Sequence, residues 1–288
     1  MRSLRFFGRL PPVRALAGLS LGPASTEAVR SELFPDLDPG AVADGLRRDG
    51  LYRGLRLPEA CLTEILEYAR QTPCYGNQNY RWGFRIADKA EAERRAGKPF
   101  AVAFYANTAD CPAIRALAAD PVLAEAARRY VGPRATVKVT RLWWSFAGDI
   151  DEVDRNEHAQ RYHFDLDDYR FIKVFFYLTD VDADAGPHVY VRGSHRGKKL
   201  SQLFPMRRFT DAEVEARYPA DRIVSIEGKA GDGFVEDTFG IHKGAPPKAR
   251  DRLVLQLEYA VHDYGITDVV PRDELSMIVD GRTEAATA

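Results

Sequence analysis

A mainly β fold with a helical layer on its N-terminal side is what this sequence predicts, on three observations. From about residue 134 onward the chain is a series of short runs rich in β-branched and aromatic residues. Turn-forming clusters separate those runs, such as Asp182-Ala183-Asp184-Ala185-Gly186-Pro187 and Arg192-Gly193-Ser194. Before residue 134, apolar residues recur instead at helical spacing. Many short strands joined by tight turns indicate a sandwich or jelly roll, with the helices of the first half covering one outer face.

Each element has its own grounds. Pro58 suits a first helical turn, and Cys61, Leu62, Ile65, Leu66 and Ala69 then share one face. Residues 87–97 form a charged, exposed helix. Asp120-Pro121 reads as a cap and a first-turn proline. Leu123, Ala126, Ala127 and Tyr130 continue the stripe until Gly132-Pro133 stops it. The first strand of the roll is Thr136 to Phe146, with Arg141 and Trp143 on one face and Trp144 on the other. Further strands are predicted at Phe171 to Leu178, His188 to Val191, Arg222 to Ile226, Gly233 to Val235 and Leu253 to Tyr259. No repeat or low-complexity linker interrupts the chain. The expected organisation is a basic arm over 1–30, one domain over 31–270 (helical part 31–133, roll 134–262) and a tail over 271–288.

Composition narrows the function classes. With 288 residues, 45% of them apolar, the chain can bury a sizeable core. A net charge of −1 lacks the basic surface that nucleic acid requires. No apolar run approaches the length of a membrane span. Three scattered cysteines, Cys61, Cys74 and Cys111, suit a reducing cytoplasm rather than a disulfide framework. The arm carries Arg2, Arg5, Arg9 and Arg14 among Phe6, Phe7, Leu10 and Leu16, with no acid. Pro11-Pro12 and Arg14 break any secretory signal core. Such an arm either lies on the cytoplasmic face of an anionic membrane or packs across the domain.

The chemistry is concentrated in two stretches. His163 and Asp165 are two apart, so on a strand both side chains point the same way, about 6.5–7 Å apart along the chain. His-x-Asp alone is a weak motif. Its context is richer: the Phe171 strand, then Gly186-Pro187-His188, then Gly193-Ser194-His195, then Gly231-Asp232-Gly233, and finally His242 with Arg252 ten residues on. This ordered series resembles the phytanoyl-CoA dioxygenase (PhyH)-like family of Fe(II)/2-oxoglutarate-dependent oxygenases over about residues 134 to 262. The resemblance implies a double-stranded β-helix, the cupin-like jelly roll. It also implies that His163, Asp165 and His242 are the catalytic iron ligands. Two imidazoles and a carboxylate hold one face of such an ion and leave the other open. It further implies that Arg252 pairs with the distal carboxylate of the cosubstrate 2-oxoglutarate, for which a guanidinium is well shaped. Fe(II), 2-oxoglutarate and O2 are thus the expected cofactors, and hydroxylation of a C–H bond of a small molecule is the expected reaction. Asp165 is intact, so the position a halide would need is filled, which favours hydroxylation over halogenation.

The family often places Gly-Ser after the distal histidine, where this chain has Lys243-Gly244. Lys173, a cation in mid-strand, is the expected substitute contact to the cosubstrate. Arg250 is a rival to Arg252. Among the other histidines, His188 and His158 flank the strands of the site and are expected at the surface rather than behind the ligands or against substrate, and His195 and His262 are expected in structural roles. The run Asn77-Gln78-Asn79-Tyr80-Arg81-Trp82 is expected at the mouth of the roll. A polar or anionic substrate, such as a cell-envelope sugar or lipid, fits these features. Two alternatives remain at this stage: a non-catalytic binder of metal or small acid on the same fold, and an iron oxygenase that does not use 2-oxoglutarate.

Overall fold

Two antiparallel sheets form the roll. The computed structural model describes residues 7–8, 10–19, 28–150, 160–204, 207–263 and 275–279. Along the chain the strands are β1 (Leu51–Arg56), β2 (Cys74–Gly76), β3 (Gly83–Phe84), β4 (Val102–Tyr105), β5 (Thr136–Ser145) and β6 (Phe171–Tyr177). They continue with β7 (His188–Val191), β8 (Ile223–Ile226), β9 (Asp232–Glu236), β10 (His242–Gly244) and β11 (Arg252–Ala260). The large sheet has the order β1-β9-β6-β11-β5-β4-β2-β3, and the small one β10-β7-β8. The helices are α1 (Pro11–Leu19), α2 (Pro39–Asp49), α3 (Glu59–Gln71), α4 (Lys89–Ala96), α5 (Pro112–Ala118), α6 (Pro121–Tyr130), α7 (Leu200–Leu203) and α8 (Asp211–Glu215). Six strands of the second half fall where the sequence predicts them, within a residue or two, and β10 is an addition that the sequence reading did not anticipate.

The first half departs from its mainly helical expectation. It also supplies β1 to β4, which extend the large sheet at both edges. These strands are two to six residues long. Runs so short carry little periodicity of their own, and their partners β9 and β5 lie far along the chain.

The two faces of the large sheet have different work. Ile172, Val174 and Phe176 of β6 and Leu253, Leu255, Leu257 and Tyr259 of β11 pack into the core, with Ile65, Ile114 and Leu123 from α3, α5 and α6. Asp120 caps α6 by accepting from the backbone N–H groups of Val122 and Leu123, at 3.0 and 2.9 Å. Alternate residues of the same strands face a cavity between the sheets: Lys173, Phe175 and Tyr177 from β6, and Arg252, Val254 and Gln256 from β11. Arg141 and Trp143 of β5 face this cavity while Trp144 packs against the core, as their alternation requires. Every residue of β6 and β11 is buried, so on these strands polar side chains mark the cavity face.

Arg14 ties the described part of the arm to the domain, while Phe7 and Leu16 stay exposed. Arg14 donates to the carbonyls of Gly8 and Asp168 and stacks on Phe239, 3.7 Å from the ring centre. This is the packing alternative of the two the sequence leaves open, and nothing in the described residues supports a membrane contact. No described helix is long and apolar enough to cross a membrane.

Candidate metal centre

His163 and His242 are brought together by backbone pairing. They form an isolated antiparallel bridge, His163 N–H to His242 C=O and the reverse, both 2.9 Å. Residues exchanging both bonds sit directly opposite each other, and here the imidazole centroids are 4.3 Å apart. Asp165 continues the segment, its N–H donating to Thr238 C=O at 2.8 Å. Asp165 Oδ1 lies 3.5 Å from His163 Nε2, and Oδ2 lies 3.6 Å from His242 Nε2. One ligand atom from each of the three falls within 4.8 Å of the others.

Tautomer and charge are set for a cation. Nδ1 of His163 lies 2.9 Å from Arg161 C=O, and Nδ1 of His242 lies 2.9 Å from Gly240 C=O. A carbonyl only accepts, so each Nδ1 carries the proton and each Nε2 turns a lone pair toward Asp165. Burial lowers the two imidazoles to about 3 and about 4, so both are neutral at ordinary pH. Burial alone would raise Asp165, but the Lys173 ammonium and both imidazoles override it and hold the carboxyl below the usual carboxylate range. Two neutral nitrogens and one carboxylate suit a divalent transition metal. Ligands about 2.1 Å from one ion at right angles are about 3 Å apart, a few tenths of an ångström closer than here.

Lys173 has protein partners that the sequence did not reveal. Its Nζ lies 2.8 Å from Asp165 Oδ2, 2.7 Å from Asp167 Oδ2 and 3.7 Å from Glu258 Oε2. The ammonium is taken by protein carboxylates, because a buried cation is tolerated only when paired. Along β11 its neighbour is Glu258, six positions from Arg252, so it is not placed at the far carboxylate of a cosubstrate.

Arg252 has the placement expected of it. It is buried at the other end of the cavity, and among the described residues its Nε and Nη1 have no hydrogen-bond partner. Its Nη2 donates to Ser145 Oγ at 3.2 Å, across the β5–β11 pair. Gly244 stands where the family's serine would be, and a Cβ there would lie 3.0 Å from Arg252 Nη2. Sequence reading missed Ser145, since only the register of β5 against β11 reveals it. Arg250 is exposed and bound to Asp182.

His188 corrects the expectation of a surface position: it stacks on His242 with centroids 5.4 Å apart, and its Nε2 is 2.9 Å from the buried Glu236 carboxylate. Burial raises the Glu236 pKa well above normal and lowers His188 to about 3. Glu236 was not anticipated, because nothing local in the sequence marks it. His195 is buried and remote from the centre, and His262 Nδ1 lies 2.9 Å from Asp168. His158 lies outside the described residues. Of the run 77–82, Gln78 and Tyr80 line the cavity and Trp82 stacks on Phe100.

A two-histidine, one-carboxylate set on a β-roll belongs to the mononuclear non-haem iron oxygenases. Comparison with known families narrows the class. The model for phytanoyl-CoA dioxygenase (PhyH) matches residues 77–250, more than half of the chain. The chain belongs to this family of Fe(II)- and 2-oxoglutarate-dependent oxygenases. Solved structures agree in fold. The non-heme alpha ketoglutarate dependent epimerase SnoN from nogalamycin biosynthesis aligns with a TM-score of 0.52 at 18% identity, covering 77% of this chain and 84% of that one. EctD from S. alaskensis with bound Fe aligns with a TM-score of 0.50 at 17% identity, covering 83% and 87%. None of the curated proteins compared with the chain matches its sequence.

Proposed function

We propose that the protein hydroxylates a C–H bond of a polar small molecule, with His163, Asp165 and His242 holding Fe(II) and Arg252 receiving the distal carboxylate of 2-oxoglutarate. The observation that carries this reading is the unsatisfied, buried Arg252 in the same cavity of about 340 Å³ as the three-ligand cluster. A buried guanidinium without a carboxylate is costly, and a dicarboxylate reaching from the metal would satisfy it. An iron oxygenase using no 2-oxoglutarate has no use for that group, which disfavours the second alternative.

When bound, iron and 2-oxoglutarate supply the power to activate O2, with succinate and carbon dioxide as coproducts. The chain's residues position and shield. Lys173 fixes Asp165 Oδ2, the oxygen on the His242 side, and leaves Oδ1 toward His163. Ser145 orients Arg252. Tyr75, Tyr80, Phe104 and Trp143 give the cavity an aromatic wall, with Phe104 and Trp143 stacked at 5.8 Å. Gln160 is buried on the same cavity with neither amide atom bonded, and Gln256 Nε2 is likewise unpaired. Aromatic faces beside unpaired amides suit a hydroxylated ring, so a sugar fits better than an alkyl lipid chain.

Anaerobic protein given Fe(II) should gain a metal-to-ligand charge-transfer band on adding 2-oxoglutarate, and oxygen should then release succinate. A substrate found by stimulated 2-oxoglutarate consumption should yield a product heavier by one oxygen. Unchanged mass would point to epimerisation on this fold. No succinate from iron-loaded protein would favour the non-catalytic alternative.

A further inference from the structure

A second cavity lies behind the metal-ligand segment, and no residue lines both it and the first. It has a volume of about 550 Å³ and is lined by six arginines, one lysine and one carboxylate, Asp237; two of the arginines are paired beyond the lining, Arg47 with Asp44 and Arg129 with Glu125. That carboxylate is already engaged: Tyr130 Oη donates to Oδ2 at 2.6 Å and Phe239 N–H to Oδ1 at 3.0 Å. Lys198 is buried in the wall. Its Nζ reaches only the carbonyls of Ser194 and Phe239, and it sits 3.9 Å above the Phe239 ring. Arg14 stacks on the same ring, and among the described residues its guanidinium reaches only the carbonyls of Gly8 and Asp168. Among the described residues no carboxylate lies within ion-pair distance of Arg14, Arg128, Arg170 or Lys198. His195 is also buried and lines this cavity, with its imidazole beside the Arg47 backbone.

Cations gathered around one cavity repel each other, and burying one unpaired is costly. Carbonyls and an aromatic face reduce that cost without cancelling charge. A tetrahedral oxyanion would cancel it, because it accepts several charge-assisted hydrogen bonds at once. We infer that this cavity binds a dianionic tetrahedral oxyanion, a phosphate or sulfate group, either free or carried on an organic molecule. Arg128 and Arg170 would clamp it, with Arg14 and Lys198 as the inner wall and His195 as a further polar contact. The site abuts the metal centre from behind. Lys198 Nζ is 5.3 Å from the ring of Phe164, the residue between His163 and Asp165, and Phe164 meets Phe239 edge-on at 5.4 Å.

The test is isothermal titration of the full chain, loaded anaerobically with Fe(II) and saturating 2-oxoglutarate so that Arg252 is occupied. Sulfate and glycerol 3-phosphate are titrated separately, with chloride at matched ionic strength as control. One-to-one binding should appear with either anion, and the tighter one tells a free anion from a phosphate ester. Arg128→Gln/Arg170→Gln, at partly exposed positions, should weaken binding at least tenfold, and Lys198→Met should do the same. Should Lys198→Met fail to fold, the double variant decides alone. Arg252→Met should bind either anion as the parent does. Binding no stronger than chloride, or equal in parent and double variant, would overturn the inference.

Discussion

At the residue scale, three side chains of opposite cost share one small volume. Two imidazoles are kept neutral by burial and one carboxylate is kept ionised by a buried lysine, so the cluster waits for a cation rather than for protons. His163→Ala or Asp165→Ala should lower Fe(II) affinity by more than about a hundredfold, beyond what losing a supporting group costs, and abolish succinate formation. Retained folding is checked by circular dichroism. Lys173→Met separates two roles. If the ammonium serves Asp165, Fe(II) affinity falls about 10–100-fold while the KM for 2-oxoglutarate of iron-saturated enzyme is nearly unchanged. A rise in that KM with iron binding intact would restore Lys173 to the cosubstrate. Arg252→Met should raise the KM for 2-oxoglutarate at least about tenfold, and Ser145→Ala about 2–10-fold, both with iron binding preserved.

At the element scale, register is what makes the site. The bridge between His163 and His242 sets the imidazoles face to face, and a slip of one residue would send one of them to the opposite side. Two glycines protect that register. Gly186, at φ 69°, turns the chain into β7, and a Cβ there would lie 2.4 Å from Ala245 C=O, just past β10. Gly240 precedes His242 by two residues, and a Cβ there would come within 2.0 Å of Tyr190 Oη. Gly240→Ala should therefore destabilise the fold by about 1–3 kcal/mol in urea unfolding and weaken Fe(II) binding too, since the displaced turn carries His242. A variant with parental stability and affinity would show that the turn yields without moving the ligand.

At the scale of the whole molecule, the buried ionisable groups set a pH dependence. Burial lowers His163 and His188 to about 3 and His242 to about 4, and lowers His195 as well. Unfolded imidazoles titrate near 6.5. Below that value the unfolded chain takes up protons that the folded chain refuses, so this stability is present above about pH 6.5 and is lost as pH falls toward 4. Burial raises Glu258 to about 7 and Glu236 well above its ordinary value, which works the other way from about pH 4.5 upward. Four imidazoles outweigh two carboxyls. The urea midpoint of metal-free protein should fall from pH 7 to pH 5, and Fe(II) should steepen the dependence because it binds only neutral imidazole. A midpoint that rose on acidification would mean that one or more of these histidines is charged in the folded state.

The strands of the second half other than the three-residue β10, the capped helix after Asp120 and the motif series from His163 to Arg252 could all be read from the chain, because each is fixed by local chemistry: alternation, turn residues, a capping carboxylate, a guanidinium heading an apolar strand. The three-ligand cluster was legible for the same reason, as spaced motifs in a family's order. The carboxylate partners of Lys173 were not foreseen and Ser145 and Glu236 were missed, since their roles depend on which distant residue lies opposite: Asp167 beside Lys173, Arg252 across from Ser145, His188 against Glu236. The short edge strands and the basic cavity behind the metal segment belong with these. Residues from the arm, from α6 and from the loops after β7 and β9 meet there only once the roll has closed. Local pattern specifies what a segment becomes, whereas partners in a low-dielectric interior are chosen by tertiary register, which no short window of sequence contains.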